Sequence, residues 1–369
     1  MIDRLGRLRE AAAAIGADGA IVTHPANRHY FSGFPANDHA PDESSGVLVV
    51  TSDAAILFTG ETNLPWAESA VRPPVVARRW SRPWAGFLGQ ELPALRIRCA
   101  AFEDRALSVA DHTAILGAAG ETKLVPAHNA FHALRAVKSE QELATIAEAA
   151  RITDAAFVAA TSAVEPGVSE KALAWRIEST MHDLGADGPG FPIIVAAGPH
   201  GARPHHDPSD RPIQEGEPVV IDIGAMIGGY SADLTRTICL GQAPSTFTDR
   251  YNTVLRAQRR ALTEIRAAMS GREADAVARE ALSAAGYGEQ FVHGLGHGVG
   301  LNIHEFPSLG KASDDVLEPG HVVTIEPGVY FEGWGGIRIE DLCVVTPTGL
   351  DVLSAAPKIG EALVDDRNW

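Results

Sequence analysis

The fragment PVVIDIGAMIGGYSADLTRTICL, residues 218–240, narrows the possible folds of this chain more than any other stretch. Two runs of strand-forming Val, Ile and Leu flank the turn-prone pair Gly228-Gly229. A hairpin centred between Ile227 and Gly228 sets Asp222 opposite Asp233, and directly opposed side chains have Cβ atoms about 4.5–5.5 Å apart. Like charges at that spacing, in strands otherwise apolar, need a counter-ion, or one of them stays protonated. A second fragment, HVVTIEPGVYFEGWGGIRIEDLCVV (321–345), repeats the arrangement. Centred on Gly333, it opposes Glu326 and Glu340, with Pro327 as a place where the ladder could bulge. One acid beside a strand is ordinarily a turn former or a solvated residue. Two opposed pairs inside apolar runs are not explained that way. Strand alternation turns Arg236 away from Asp233 and leaves Arg338 as the local cation. One guanidinium does not balance four carboxylates; two divalent cations do.

Histidines supply nitrogen. FVHGLGHGVGLNIHEFP (291–307) carries His293, His297 and His304, and its glycines rule out a helix. In an extended chain His293 and His297 share one face, while glycine on the other permits close backbone approach. A further cluster, PHGARPHHDPSD (199–210), holds His200, His205 and His206 in a proline-rich loop, where a site and ordinary surface histidines are about equally good readings. Four carboxylates and one imidazole form a hard, oxygen-rich donor set that suits Mn²⁺, Co²⁺, Fe²⁺ or Zn²⁺ in a shared two-metal site. The chemistry such a site implies is metal-assisted hydrolysis.

Around these motifs the chain reads as two domains. GAIVT (19–23), VLVVT (47–51) and AAILF (54–58) are strand-length apolar runs, and Ile2, Leu5, Leu8, Ala12 and Ile15 mark one face of an N-terminal helix. A boundary is expected near 125–138. Ser139 and Glu142 then form a capping box ahead of the stripe Leu143, Ile146, Ala150 and Phe157. A second helix is expected after Pro166-Gly167 with Ser169 as cap, and further helices over about 247–268 and 273–285. Acids outnumber bases 47 to 31, a formal net charge of −16, so neither nucleic acid nor an anionic membrane surface is an expected partner. No stretch of about 18 apolar residues suggests a membrane span, and the N-terminal stretch lacks the apolar core of a signal peptide. Three scattered cysteines (Cys99, Cys239, Cys343) form no disulfide framework and suit a cytoplasmic protein.

The ordered series IDIG…ADLTRT, HGLGHGVG, NIHEFP, IEPGVY and GIRIED, within about 134–346, resembles the pita-bread metallopeptidases: methionine aminopeptidase, aminopeptidase P and prolidase. The preceding region is similar to the creatinase-type N-terminal domain of the proline-directed members. The resemblance implies an α/β creatinase-like domain over 1–130, followed by an α+β pita-bread catalytic domain over 134–369. It implies that Asp222, Asp233, His297, Glu326 and Glu340 hold two divalent metal ions, manganese foremost and Co, Zn or Fe as alternatives, with Asp233 and Glu340 bridging. A bridging hydroxide would attack the scissile carbonyl of an Xaa-Pro peptide, with Glu326 as proton shuttle. His293 and His304 would orient substrate and stabilise the oxyanion, His205 would assist, and Arg338 would line the site as a substrate-binding wall. The expected protein is thus an Xaa-Pro aminopeptidase or dipeptidase acting on small peptides, and a homodimer by analogy with the family. The complete ligand set argues against the metal-free creatinase branch. Two other readings stay open: a hydrolase of a non-peptide C–N bond on the same metals, and a catalytically silent binding module. One departure bears on substrate length. Dipeptide-cutting prolidases often carry an arginine four residues after the counterpart of His304, where it grips the free carboxylate. Here that position is Ser308, and nearby Lys311 offers a point charge in place of a fork.

Overall fold

In the computed structural model, residues 3–38, 43–162 and 164–359 are described. The chain divides into two compact units, Met1–Arg135 and Ala136–Trp369.

The first unit is built on a six-stranded mixed sheet. Its strand order is Val76–Arg79, Ala55–Thr59, Val47–Thr51, Gly19–Val22, Cys99–Phe102, Lys123–Pro126. The three apolar runs of the sequence are its buried inner strands, every residue of each being buried. Strands covered on both faces read as unbroken apolar runs, which is why they were visible in the sequence. The edge strands VARR and KLVP are largely exposed and gave no such signal. In the helix Arg4–Ala14, Leu5, Leu8 and Ala12 are buried while Ile15 is exposed at its C-cap; Ile2 lies outside the described residues.

Burial in this unit has a consequence for pH. His24 is pushed down to about 3 by burial and by its neighbours His132, Arg135 and Arg28. His29 falls to about 4 through burial and Arg72, Arg4 and Arg28, and His132 to about 4 through burial and Arg135 and Arg105. The unfolded chain takes up these protons near pH 6.5, the folded unit only well below it. Stability is therefore present above pH 6.5 and drains away as pH falls towards 4. Three protons correspond to a slope of up to about 4 kcal/mol per pH unit. Calorimetry of the full chain from pH 7 to pH 4 should show the first unit melting earlier with each step; a melting temperature independent of pH in this window would contradict this.

The second unit interleaves helices with small antiparallel sheets. Helix Glu140–Thr161 begins with the Ser139/Glu142 capping box, and Ser169 caps Glu170–Asp183. Helices Ser245–Glu264 and Gly271–Ala284 follow, the first ending earlier than the sequence suggested because the backbone becomes extended at Ile265. One sheet has the order Leu234–Cys239, Pro218–Ile223, Ile194–Ala197; another runs Glu305–Leu309, Gly296–Gly298, Val322–Ile325, Asp341–Val345, Leu350–Val352. A large core of Ile, Val, Leu, Phe and Ala side chains from helices and sheets joins them, with a smaller cluster around Ile146, Val299 and Val322 beside it.

The first acidic hairpin departs from the expected register. Asp222 pairs with Thr235, two residues beyond Asp233. The cause is the turn. Gly228 (φ 57°) and Gly229 (φ 83°) both adopt the left-handed conformation, so the loop is the two-residue kind centred between them. A shift of two preserves strand parity, so Asp222 and Asp233 stay on one face as diagonal neighbours. The second hairpin has the expected register: Gly328 pairs with Arg338, and Ile325 with Asp341. Pro327 interrupts the ladder between those segments without slipping it, leaving Glu326 and Glu340 at matching positions.

Candidate metal centre

The two hairpins and the glycine-rich strand converge on a cavity of about 500 Å³. Its lining includes Asp222, Asp233, His297, Glu326 and Glu340, together with His205, His293, His304 and Arg338. All nine residues to which the resemblance gives a site role therefore line one space.

Glycine makes the approach possible. A Cβ on Gly296 would lie 2.0 Å from the Thr324 carbonyl oxygen, and one on Gly298 would lie 2.3 Å from that of Phe306. With glycine on the opposite face admitting the neighbouring backbone this closely, His297 points to the acid cluster. Its Nδ1 sits 3.1 Å from the Gly298 carbonyl, so Nδ1–H donates there and Nε2 is turned to the carboxylates. Nε2 lies 3.3 Å from Glu326 Oε1 and 3.6 Å from Asp233 Oδ2. Ligand atoms of Asp233, His297 and Glu340 all lie within 4.8 Å of one another.

Electrostatics confirms crowding. Burial, reinforced by Glu340, Asp222 and Glu326, pushes the Asp233 carboxyl well above the usual range. Burial and the charges of Glu326 and Asp222 do the same to Glu340, although the Thr235 hydroxyl donates to it at 2.6 Å. Asp222 is raised by burial against the pull of Arg338. Glu326 alone is held down, at about 2: His297, His293 and Arg338 outweigh its burial. Arg338 Nη2 donates to Asp222 Oδ2 at 2.6 Å, but Asp222 Oδ1 is buried without a hydrogen-bond partner. A buried, partnerless carboxylate oxygen beside two acids that resist ionisation fits a group of oxygen and nitrogen donors arranged for divalent cations.

Around this cluster, burial lowers the pKa of His293, and burial with His297 lowers that of His304, so both rings are neutral near pH 7. His293 Nδ1–H donates to the Gly294 carbonyl at 2.7 Å, so Nε2 accepts from the Tyr330 hydroxyl at 2.9 Å, and that hydroxyl oxygen accepts from Arg338 Nη1 at 2.8 Å. His304 meets His297 edge to face at 4.3 Å between ring centres. Phe191, Pro192, Ile194 and Ile303 form an apolar wall. Of the second histidine cluster only His205 and His206 line the cavity; His200 and His206 turn to Glu170. Sequence reasoning missed Thr235, Thr324 and Tyr330. Each is one polar residue in an ordinary strand, and a strand gives no sign of what lies across from it.

Comparison with known proteins agrees with this geometry. Residues 144–347 match the model of metallopeptidase family M24, and residues 4–137 that of the creatinase/prolidase N-terminal domain. The chain is 33% identical over 350 residues to a Xaa-Pro dipeptidase of Pyrococcus furiosus, covering 95% of this chain and 97% of that one. Among solved structures, a Xaa-Pro dipeptidase from Bacillus anthracis superposes with a TM-score of 0.90 at 36% identity, covering 96% of this chain and 98% of that one. An X-Pro aminopeptidase from Thermotoga maritima superposes with a TM-score of 0.89 at 32% identity, covering 97% and 99%.

Proposed function

From membership of metallopeptidase family M24, to which this chain belongs with a creatinase-type domain ahead of a pita-bread catalytic domain, we propose that it hydrolyses Xaa-Pro peptide bonds at a dinuclear metal centre. The protein is a metal-dependent peptidase. The observation that carries the finer reading is the convergence of four carboxylates, Asp233 and Glu340 buried and Asp222 and Glu326 nearly so, and of His297 on one cavity where, among the described residues, Arg338 is the sole guanidinium in the lining.

In this proposal Asp222, Asp233, His297, Glu326 and Glu340 would hold the two ions, with Asp233 and Glu340 the ligands the two would share. Bound there, divalent cations supply Lewis acidity and acidify water for attack on an amide carbonyl. Glu326, ionised in its surroundings, takes the proton and passes it to the leaving nitrogen. His293 and His304 orient the peptide and stabilise the developing oxyanion, and His205 assists from its loop. The wall of Phe191, Pro192, Ile194 and Ile303 offers a proline ring an apolar surface. Arg338 has its guanidinium engaged by Asp222, Tyr330 and Thr235, so its part is to hold Asp222. Catalysis is assigned to residues 134–369, apart from the N-terminal domain at 1–130. The proposal extends to manganese, in keeping with the oxygen-rich donors, and to a homodimer in the cytoplasm.

Protein stripped of metal and reloaded with Mn²⁺ or Co²⁺ should cleave Xaa-Pro peptides. No cleavage across a panel of di- and tripeptides would refute the reading. Substrate length follows from charge. Among the described residues, no lysine and no second arginine lines the cavity, and Lys311 is not part of its lining. A dipeptide's free carboxylate would enter a pocket already rich in acids, whereas a longer peptide presents a neutral amide there. Ala-Pro-Ala should accordingly be cut with a higher kcat/KM than Ala-Pro under identical loading; the reverse order would contradict this.

A further inference from the structure

Glu170 opens the helix Glu170–Asp183, where an acid in the first turn is unremarkable. Its position is not. The side chain is wholly buried, and its carboxylate gathers five donors from a single segment, 197–209. The Ala197 N–H donates to Oε1 at 2.8 Å. His200 Nδ1 lies 3.0 Å from the same oxygen, and His206 Nε2 lies 3.0 Å from Oε2. The Ser209 N–H and hydroxyl donate to Oε2 at 3.0 and 2.6 Å. One carboxylate thus closes both ends of the segment and pins two points within it.

Between those pinned points stands His205, next to His206 and facing the cavity. It shares the cavity lining with His304. The segment is otherwise a short 3₁₀ turn, Gly198–Ala202, followed by Pro204, whose carbonyl accepts from the Arg338 guanidinium at 3.5 Å. We propose that Glu170 is a positioning residue for hydrolysis, which holds the 197–209 segment through His200, His206 and Ser209 so that His205 points into the cavity. This rests on the reading above, in which His205 assists at the substrate.

The same trio has the composition of a small metal site, its two imidazole rings 4.3 Å apart. The hydrogen bonds decide against it. Five N–H and O–H groups already occupy the carboxylate, and a ring nitrogen that donates to a carboxylate has no lone pair left for a cation. A carboxylate saturated in this way keeps its charge although buried: the Ser209, Ala197 and His206 donors outweigh desolvation and hold it below the usual range.

The test is a double-mutant cycle on the metal-loaded full chain, with Glu170→Gln, His205→Ala and the pair. Glu170→Gln keeps the volume and loses part of the acceptor capacity. Its kcat/KM on an Xaa-Pro peptide cleaved by the parent should fall by about 10–100-fold, the usual cost of disturbing an outer partner of a catalytic group. The same change made in His205→Ala should cost nothing further. An equal loss with and without the His205 ring, or no loss in the first place, overturns the proposal. If Glu170→Gln does not fold, Ser209→Ala, which removes one donor, should show a smaller loss with the same dependence on His205. A second arm needs no turnover. In the metal-free protein, the ring signals of His205, assigned by their absence from His205→Ala, should shift or broaden in the Glu170 or Ser209 variant; signals unchanged from the parent overturn the proposal. Inactivity of the parent itself would count against the proposed function and leave this arm to decide the role of Glu170. A further divalent ion bound by the parent and lost in His206→Ala would also overturn it.

Discussion

Protein carrying Glu340→Gln or Asp233→Asn is expected to lose bound divalent metal and peptide hydrolysis together, while its metal-free form melts at a higher temperature than the metal-free parent. Both effects come from one cause. Glu340 and Asp233 are buried, and burial with neighbouring carboxylates pushes both well above the usual range. Without cations the folded protein must either hold repelling charges or keep protons on them. Removing one carboxyl charge, with little change in volume, relieves that repulsion; each kcal/mol gained is worth roughly 2–4 °C in a domain of 150–250 residues. The same raised values make the metal-free parent less stable as pH climbs from the ordinary carboxylate range towards neutrality, because the unfolded chain ionises freely there. Function moves the other way. The fall in kcat/KM should reach at least 10²–10³, on the order of the cost of deleting one electrostatic donor at a reacting centre. Metal analysis, steady-state kinetics and calorimetry with chelator check the three parts. Normal turnover, or metal-free variants less stable than the parent, would contradict the account.

Arg338→Met should be the most destabilising single change at the centre. The guanidinium is buried and donates to Asp222 at 2.6 Å, to the Tyr330 hydroxyl at 2.8 Å and to the Thr235 hydroxyl at 3.0 Å. Methionine keeps an unbranched side chain but removes the charge, leaving Asp222 buried among acids without its cation. Deleting one partner of a buried pair costs about 3–5 kcal/mol. Metal affinity should weaken about 10–100-fold, since a ligand carboxylate loses the group that orients it. Arg338→Lys should fall between the two, because an ammonium supplies charge without a fork that reaches three acceptors at once. Denaturant unfolding and metal titration measure these effects; a loss under 1 kcal/mol with unchanged affinity would show that Arg338 does not serve Asp222.

Much of the centre was legible because its residues break local rules. Acids inside runs of Val and Ile, and alternating glycines around His297, are costly for a strand and call for a reason. The register of the Glu326/Glu340 hairpin could be read because the turn does centre on Gly333, whose φ of 75° is left-handed. The Asp222/Asp233 hairpin slipped by two because two adjacent glycines allow more than one centre, and only their backbone angles choose between them. Parity kept both acids on one face, so the grouping survived the error. The strands Val76–Arg79 and Lys123–Pro126 lie at sheet edges, where side chains meet solvent and no apolar pattern is required. Glu170 was invisible for a different reason. It looks like any acid at a helix start, and its partners lie 27 to 39 residues further along the chain. Thr235 is likewise 105 residues from the Glu340 it serves.

Anomalous diffraction from crystals of manganese-loaded protein tests the central claim most directly. The account predicts two peaks in the cavity, within coordination distance of Asp222, Asp233, His297, Glu326 and Glu340 and shared by Asp233 and Glu340. A loaded, active crystal with no peak among those five side chains would contradict it.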